Sequence, residues 1–483
     1  MNSKKSRNIW NIADEYDNLQ LEYKNDSVMY RYLDLIRTEL IEVIYQLESS
    51  DNLTGYKINS LNAFKKTKFI LIRIIKEIFY SFDLKRNKLK IKSNELVFFV
   101  EYINHYKQYL GLKNQLDEQS ADHKVIFLNK EMYLKYKINI KCSYYIGEFY
   151  TNICLMKSII KLFNVNTKVI FDSKIRNIST ENINKIKLEL LFFNSKFLLE
   201  NLKISYALNK ILSTKIKRAI FFKAEGFKIK NIIDVCSKNH INTVAIQHGL
   251  IVKNIKYHKL NINRYFVWSD VFANMLNACN AKCNTSSLGC PDYDKHINSR
   301  FETQLTNKDN ITKLLFLPNS GKSQTPESEI LLALKICLKY VSKNSDFQLV
   351  IKPHPGGDSE LIKNVVECFS ISNAIILEKE HKLNYHSYDM VITMNSTVGI
   401  EAAIFRKPLI VILSSLKMMM IDDYLNYKIA EFVTSDNEML EAVAKIKDNY
   451  KIYQERCDTF TKDYLTNLGT SAKQIVKNLL VYV

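Results

Sequence analysis

The chain is 483 residues long, 47% hydrophobic and 25% charged, with 69 Lys and Arg against 50 Asp and Glu for a net charge of +19. That apolar content excludes a disordered polymer, and the length exceeds what one hydrophobic core normally serves, so two or more domains are expected. Cut at Leu250, the first part holds 41 basic and 25 acidic residues and the second 28 and 25, so +16 of the charge lies N-terminal and +3 C-terminal; such asymmetry predicts a polyanionic partner, whether nucleic acid, acidic leaflet or acidic polymer.

The first residues are polar and charged, without the apolar core a secretory signal requires, which predicts a cytoplasmic location. From about Asn11 to Leu112 apolar residues recur every three or four positions with almost no Gly or Pro, so residues 1–115 read as a helical N-terminal extension. Within it, 63–82 combines Lys65, Lys66, Lys68, Arg73 and Lys76 with Phe69, Ile70, Ile74, Ile78 and Phe79. That pattern suits either an amphipathic helix on an anionic inner leaflet or a core helix with solvated lysines. No run of about 18 apolar residues occurs, so no membrane span is expected. The nine cysteines are odd in number and scattered, fitting reduced thiols; Cys279, Cys283 and Cys290 lack paired zinc-ligand spacing.

Beyond the extension, short apolar runs alternate with amphipathic stretches: 125–128, 168–171, 219–222, 243–246 and 265–268 read as strands, with a helix over 227–239. A polar linker follows at 296–310. The same rhythm then resumes, with strands at 314–317, 348–351, 374–377, 390–393 and 409–412, helices at 327–341, 360–369 and 398–405, and a closing helix over 458–482. This is the alternation of parallel α/β sheets. The expected architecture is an N-terminal half over 116–300, a C-terminal half over 311–455 and a helix at 456–483 packing back across the joint, with function in the cleft where strand carboxyl ends face one another.

Four motifs follow predicted strands. Gln247-His248-Gly249 sets an imidazole at a strand end beside a flexible turn. Lys352-Pro353-His354-Pro355-Gly356-Gly357 holds a histidine between prolines next to a cation, as an anion site requires. Asn395-Ser396-Thr397 opens a helix, where hydroxyls and amides either meet a phosphate or simply cap the helix. Pro318 to Ser323 ends like a Walker loop but has Phe316 where the first glycine belongs, which leaves the Ser320 and Gly321 amides a softer role near a phosphate or its sugar. Glu225 follows another strand and is a candidate general base. Asp292-Tyr293-Asp294 has the DxD spelling of a metal site but stands in a Gly/Pro/Asp turn, and no metal or other cofactor is expected.

Taken in order, Gln247-His-Gly, Gly289-Cys-Pro-Asp-Tyr-Asp, Lys352-Pro-His-Pro, and Asn395-Ser-Thr followed by Glu401-Ala and Lys407-Pro resemble bacterial surface-polysaccharide glycosyltransferases of the GT-B fold. The likeness covers roughly 217–413 and is greatest to enzymes with cytidine-activated donors: capsule Kdo and sialic acid transferases, and CDP-glycerol glycerophosphotransferases. It implies an α/β fold of two Rossmann-like parallel-sheet domains, with the acceptor domain first and the nucleotide-sugar donor domain second. It also implies donor phosphate contacts from His354, Pro355, Ser396 and Thr397, and ribose contacts from Glu378. The acid-acid-Gly motif of sialyltransferases appears here as Ala224-Glu225-Gly226, one acid short; Glu225 and His248 therefore both stand as candidates for the base.

The resulting expectation is an inverting, metal-independent transfer of a sugar, CMP-linked and of the Kdo or sialic acid type, to a growing glycan or lipid-linked glycan, with peripheral contact at an anionic inner leaflet. The alternative within enzymes is transfer of a glycerol- or ribitol-phosphate unit from a CDP-linked donor. The alternative of another class is a basic nucleic-acid-binding protein, but no nucleic-acid motif accompanies the charge and no nucleic-acid partner is expected.

Overall fold

The structure is a computed structural model. The structure describes residues 96–137, 143–146, 204–205, 207–208, 216, 218–297, 300, 311–319, 326–354, 359–378, 381–394, 396–413 and 421–481. The expected strand at 168–171, the basic segment at 63–82 and most of the linker lie outside them.

The chain divides into two compact units, one made of residues up to Val267 with Phe272–Ser286 and Ile475–Val483, the other of Trp268–Val271 and Ser287–Gln474. The first holds a seven-stranded sheet in the order β3-β2-β1-β4-β5-β6-β7. Its strands are β1 Leu96–Val100, β2 His123–Phe127, β3 Ser143–Tyr145, β4 Arg218–Phe221, β5 Asn242–Ile246, β6 Arg264–Val267 and β7 Asn284–Ser287. The second holds a six-stranded sheet in the order β10-β9-β8-β11-β12-β13. It comprises β8 Thr312–Leu317, β9 Phe347–Ile351, β10 Ala374–Ile376, β11 Met390–Thr393, β12 Leu409–Ile412 and β13 Ala430–Val433. The described pairings run parallel, so each sheet has the doubly wound order that reverses between its first and fourth strands.

Central strands buried on both faces read as continuous apolar runs, as in Leu96–Val100 and Leu409–Ile412, where every residue is buried. Helices cover these faces through one apolar stripe. In α3 (Phe227–Lys238) Ile229, Ile232, Ile233 and Cys236 are buried at the spacing of one helix face, and the helix packs against β4 and β5. In the second unit, α5 (Glu327–Ser342) and α9 (Asp436–Asp448) close one core with Leu334, Cys337, Val341, Met439, Val443 and Ile446 around Leu314, Phe316 and Ile351. Of the remaining helices, α1 (Ile103–Glu118), α2 (Lys130–Tyr136) and α4 (Asp270–Ala278) belong to the N-terminal part of the chain. α6 (Ser359–Phe369), α7 (Val398–Ile404), α8 (Ile421–Tyr427), α10 (Tyr450–Tyr464) and α11 (Ser471–Val481) belong to the C-terminal part.

Two expectations are corrected. Leu96–Val100, read as part of the helical extension, is a central strand whose Phe99 pairs in register with Phe221 of β4, the rings stacked at 5.1 Å. Five apolar residues in a row satisfy a helical period as well as a buried strand, and here tertiary pairing decides. The closing helix is two helices: the chain leaves helical geometry at Leu465, turns through Gly469 at φ +91°, and resumes at Ser471. No helix among the described residues is long and apolar enough to cross a membrane.

Candidate functional site

In each sheet the described residues among the candidates for the site stand just past the carboxyl ends of strands, on either side of the order reversal. In the first unit, β1 leads to Glu101 and then to α1, β4 to Lys223 and Glu225, and β5 to Gln247 and His248. Because β1 and β4 are neighbours, Lys223 Nζ reaches Glu101 Oε2 at 2.8 Å across the reversal, and the same ammonium lies 4.5 Å from the centre of the Tyr102 ring. Gly226, at φ +95°, ends the loop after β4 and starts α3, a conformation that favours glycine. Glu225 turns its Oε2 back to accept the Ala224 N–H at 3.1 Å, while its Oε1 lies 4.0 Å from Lys256 Nζ.

The loop after β5 is held by side-chain amides: Gln108 of α1 donates to the Gln247 carbonyl at 3.1 Å, and Gln247 donates to the Gly249 carbonyl at 2.9 Å. His248 is thereby placed beside His105 in the first turn of α1. Burial holds the His248 imidazole below its ordinary pKa, assisted by Lys223 and Lys256 and opposed by Glu225 and Glu101. His105 is fully buried, and burial foremost, with His248 and Lys223, pushes it down to about 2. The Glu101 N–H donates to His105 Nδ1 at 3.3 Å, which fixes the neutral tautomer carrying its proton on Nε2. The cluster thus offers a neutral imidazole, a carboxylate and a cation, the set needed to accept a proton near neutral pH.

In the second unit, Lys352 and His354 leave β9, Ser396 and Thr397 follow β11, and β8 alone separates those two strands. His354 is exposed, and its pKa is lowered by partial burial and by Lys352. It is therefore a neutral hydrogen-bonding group near neutral pH, and Lys352 carries the local charge. Ser396 Oγ accepts the Val398 N–H at 3.3 Å, and the Ser396 carbonyl accepts from Tyr424 Oη at 2.9 Å. Thr397 makes no side-chain cap bond. Glu378 is exposed just past β10. Pro355, Ser320 and Gly321 lie outside the described residues.

Several groups at these edges were not singled out from sequence. These are Glu101, His105 and Lys223; Glu401 on α7 enters the order of motifs but was given no role. Burial raises its carboxyl pKa, while a 3.0 Å hydrogen bond from Tyr385 and the charges of Lys295 and Lys352 oppose the rise. Its place in Ser396-Thr-Val-Gly-Ile-Glu401, one turn into the helix after the hydroxyls, was the available signal. Asp294, in contrast, serves structure: its carboxylate accepts the N–H groups of Gly469, Ser471 and Ala472 at 2.9, 3.0 and 2.7 Å and so caps α11.

No protein-family model matches the chain, and no curated protein matches it by sequence. Among solved structures, it is similar to Staphylococcus aureus MnaA determined with UDP, at 12% identity over 81% of this chain and 97% of that one, with a TM-score of 0.50. A Listeria monocytogenes protein assigned as a UDP-N-acetylglucosamine 2-epimerase is similar at 10% identity over 80% and 96%, also with a TM-score of 0.50. Identity this low speaks to architecture alone. Together with the strand order of both sheets, it shows that the chain has the α/β fold of the GT-B type, built from two Rossmann-like parallel-sheet domains.

Proposed function

We propose that the protein is an enzyme acting on a nucleotide-linked sugar, and more specifically an inverting, metal-independent glycosyltransferase. Its donor is a CMP-linked sugar of the Kdo or sialic acid type, and its acceptor a growing surface or capsular glycan, free or lipid-linked. The observation that carries this reading is the neutral His248 beside Glu225 at the carboxyl edge of the first sheet. Transfer begins as the acceptor hydroxyl gives its proton to that pair and its oxygen forms a bond to the anomeric carbon. The bond from that carbon to the donor phosphate oxygen breaks, and its electron pair leaves with the nucleotide. In the second unit Lys352, His354, Ser396 and Thr397 meet the phosphate charge, Glu378 the ribose hydroxyls, and the loop of Ser320 and Gly321 the phosphate or its sugar. Use of Asp294 as a helix cap supports a reaction in which the DxD spelling holds no cation. The +16 of the first 250 residues supports an acidic glycan or an anionic inner leaflet as the surface they meet.

A second reading is favoured by the fold likeness to a protein solved with UDP and to one assigned as a 2-epimerase. Here the nucleotide is uridine, and the same His248 and Glu225 move a proton at a sugar carbon. One experiment separates the readings. Purified full-length protein is incubated with CMP-, CDP-, UDP- and GDP-linked compounds, with and without a glycan acceptor, and nucleotide release and product mass are followed. Acceptor-dependent release of CMP and a product heavier by one sugar is expected. A product that also gains phosphate indicates polyol-phosphate transfer, and an isomerised UDP-sugar indicates epimerisation. No binding and no turnover of any of these compounds sinks the nucleotide-sugar reading, as does full activity of His354→Ala for the donor site.

A further inference from the structure

Tyr102 stands between β1 and α1, at the carboxyl edge of the first sheet and next to Glu101. Among the described aromatic side chains it is the only exposed one, at 51%. Scattered exposed aliphatic residues are ordinary in any fold. A large ring left in water beside a group of titratable side chains is not, because burying it would remove far more apolar area from solvent.

The ring is braced. Lys223 Nζ lies 4.5 Å from its centre, and the buried His105 ring meets it at 5.3 Å with the planes at 70°. Lys223 is bound to Glu101 at 2.8 Å, so its charge is answered within the fold and it steadies the ring without calling in an anion. The Tyr102 side chain makes no cap bond to α1, so helix initiation does not account for the residue. Ile103, 37% exposed, follows it and adds apolar surface at the same edge. His105 also touches the His248 ring, at 4.8 Å. At most those two distances end to end, about 10 Å, therefore separate the Tyr102 and His248 ring centres, a reach that one or two sugar rings cover.

A preorganised flat ring with half its surface in water suits a partner that has a flat apolar face and a polar rim. A pyranose is such a partner. The C–H bonds on one side of its ring form the face, and their slight positive charge is attracted by the negative face of an aromatic ring. We propose that Tyr102 is the stacking platform for a sugar of the acceptor, whose C–H face lies on the exposed part of the ring while a rim hydroxyl turns toward His248 and Glu225. This rests on the transferase reading of those two residues and deepens it. The acceptor is chosen by a pyranose unit with an uninterrupted C–H face at or beside its reacting end, in addition to any charge along the rest of the glycan.

The test is saturation-transfer NMR on the full chain with methyl β-galactoside, methyl β-glucoside and methyl N-acetyl-β-glucosaminide. Each is used at about 10 mM, a concentration matched to the weak affinity of one stacked ring. Thermal unfolding with CMP and with UDP runs in parallel, since a ligand of the folded state raises its midpoint. Wild type is expected to pass saturation to the ring C–H protons on one side of at least one glycoside. Tyr102→Leu keeps the bulk but loses the flat face and should weaken that binding roughly tenfold, whereas Tyr102→Phe keeps the ring and should retain it. Both replacements fall on an exposed side chain, so the fold stays intact. Nucleotide stabilisation should be the same in all three proteins. Glycoside binding that is equal in wild type and Tyr102→Leu, or absent from wild type, overturns the platform; the nucleotide-sugar reading still stands if CMP or UDP stabilises the protein. A nucleotide response lost in Tyr102→Leu gives the ring to the base and overturns the platform as well. Failure of both nucleotides to stabilise wild type counts instead against the nucleotide-sugar reading, and the acceptor role falls with it.

Discussion

The His105 ring stands edge-on to the His248 ring, with centroids 4.8 Å apart and planes at 85°. His105 is locked by the Glu101 N–H on its Nδ1, so it fixes one wall against which His248 rests. His248→Ala is expected to lower turnover by about 10²–10⁴, the usual worth of a general base, with donor affinity kept. His105→Phe retains the ring but drops the Nδ1 acceptor, and should lower kcat while leaving the donor KM unchanged. Steady-state kinetics of the two variants checks both statements.

The two histidines also predict an acid limit on stability. Both are held neutral in the fold below their ordinary 6.5, so between that value and their folded pKa the unfolded chain binds more protons. Stability is therefore full above pH 6.5 and falls as pH decreases. For His105 the loss is about 1.4 kcal/mol at pH 5.5 and grows by a similar amount per further unit. Chemical denaturation at pH 7.5 and 5.5 should show this loss in wild type and a smaller one in His105→Phe.

Glu101 and Lys223 form a buried pair, with side chains 9% and 13% exposed. Lys223→Met strands the carboxylate and should cost about 3–5 kcal/mol, whereas adding Glu101→Gln should return a good part of it. A double-mutant cycle by denaturant unfolding measures the difference.

Asp294→Ala removes the acceptor for three N–H groups at the start of α11 and should cost about 1–2 kcal/mol. Nucleotide affinity should stay at the wild-type value. A selective loss of nucleotide binding with unchanged stability would instead place Asp294 in the ligand site.

Gly399 sits where a Cβ would lie 2.1 Å from Tyr424 Oη. Gly399→Ala must displace Tyr424, whose hydroxyl holds the Ser396 carbonyl, at a cost of about 1–3 kcal/mol. Thermal unfolding, with donor titration to detect a loosened Ser396 loop, checks it.

Much of this arrangement is legible in the chain itself. Apolar runs bounded by polar turns mark the strands, and Gln247-His248, Lys352-Pro-His354 and Ser396-Thr397 each stand just past one, because a loop leaving a buried strand is the first place a polar side chain can be solvated. Local pattern fails where neighbours are set by distant pairing. Leu96–Val100 could be strand or helix until β4 and β2 enclose it, and His105 then reads as a lone histidine on an amphipathic helix. The DxD spelling, read from sequence as part of a Gly/Pro/Asp turn, shows the same limit. Its chemistry suits a cation, but the amides of Gly469, Ser471 and Ala472 reach Asp294 only once the chain has folded back.

Sequence alone determined the α/β class and the strand-end residues, since both follow from periodicity and local solvation. Only the tertiary structure decided that β1 lies beside β4, and so that Glu101 meets Lys223 and His105 meets His248. It also decided that Arg218 and Arg264 come together where the strands of the first sheet begin, Arg218 buried and Arg264 partly so. The charge surplus shows the same division: composition gives its size and its N-terminal bias, but folding sets which of those charges are buried and which lie side by side.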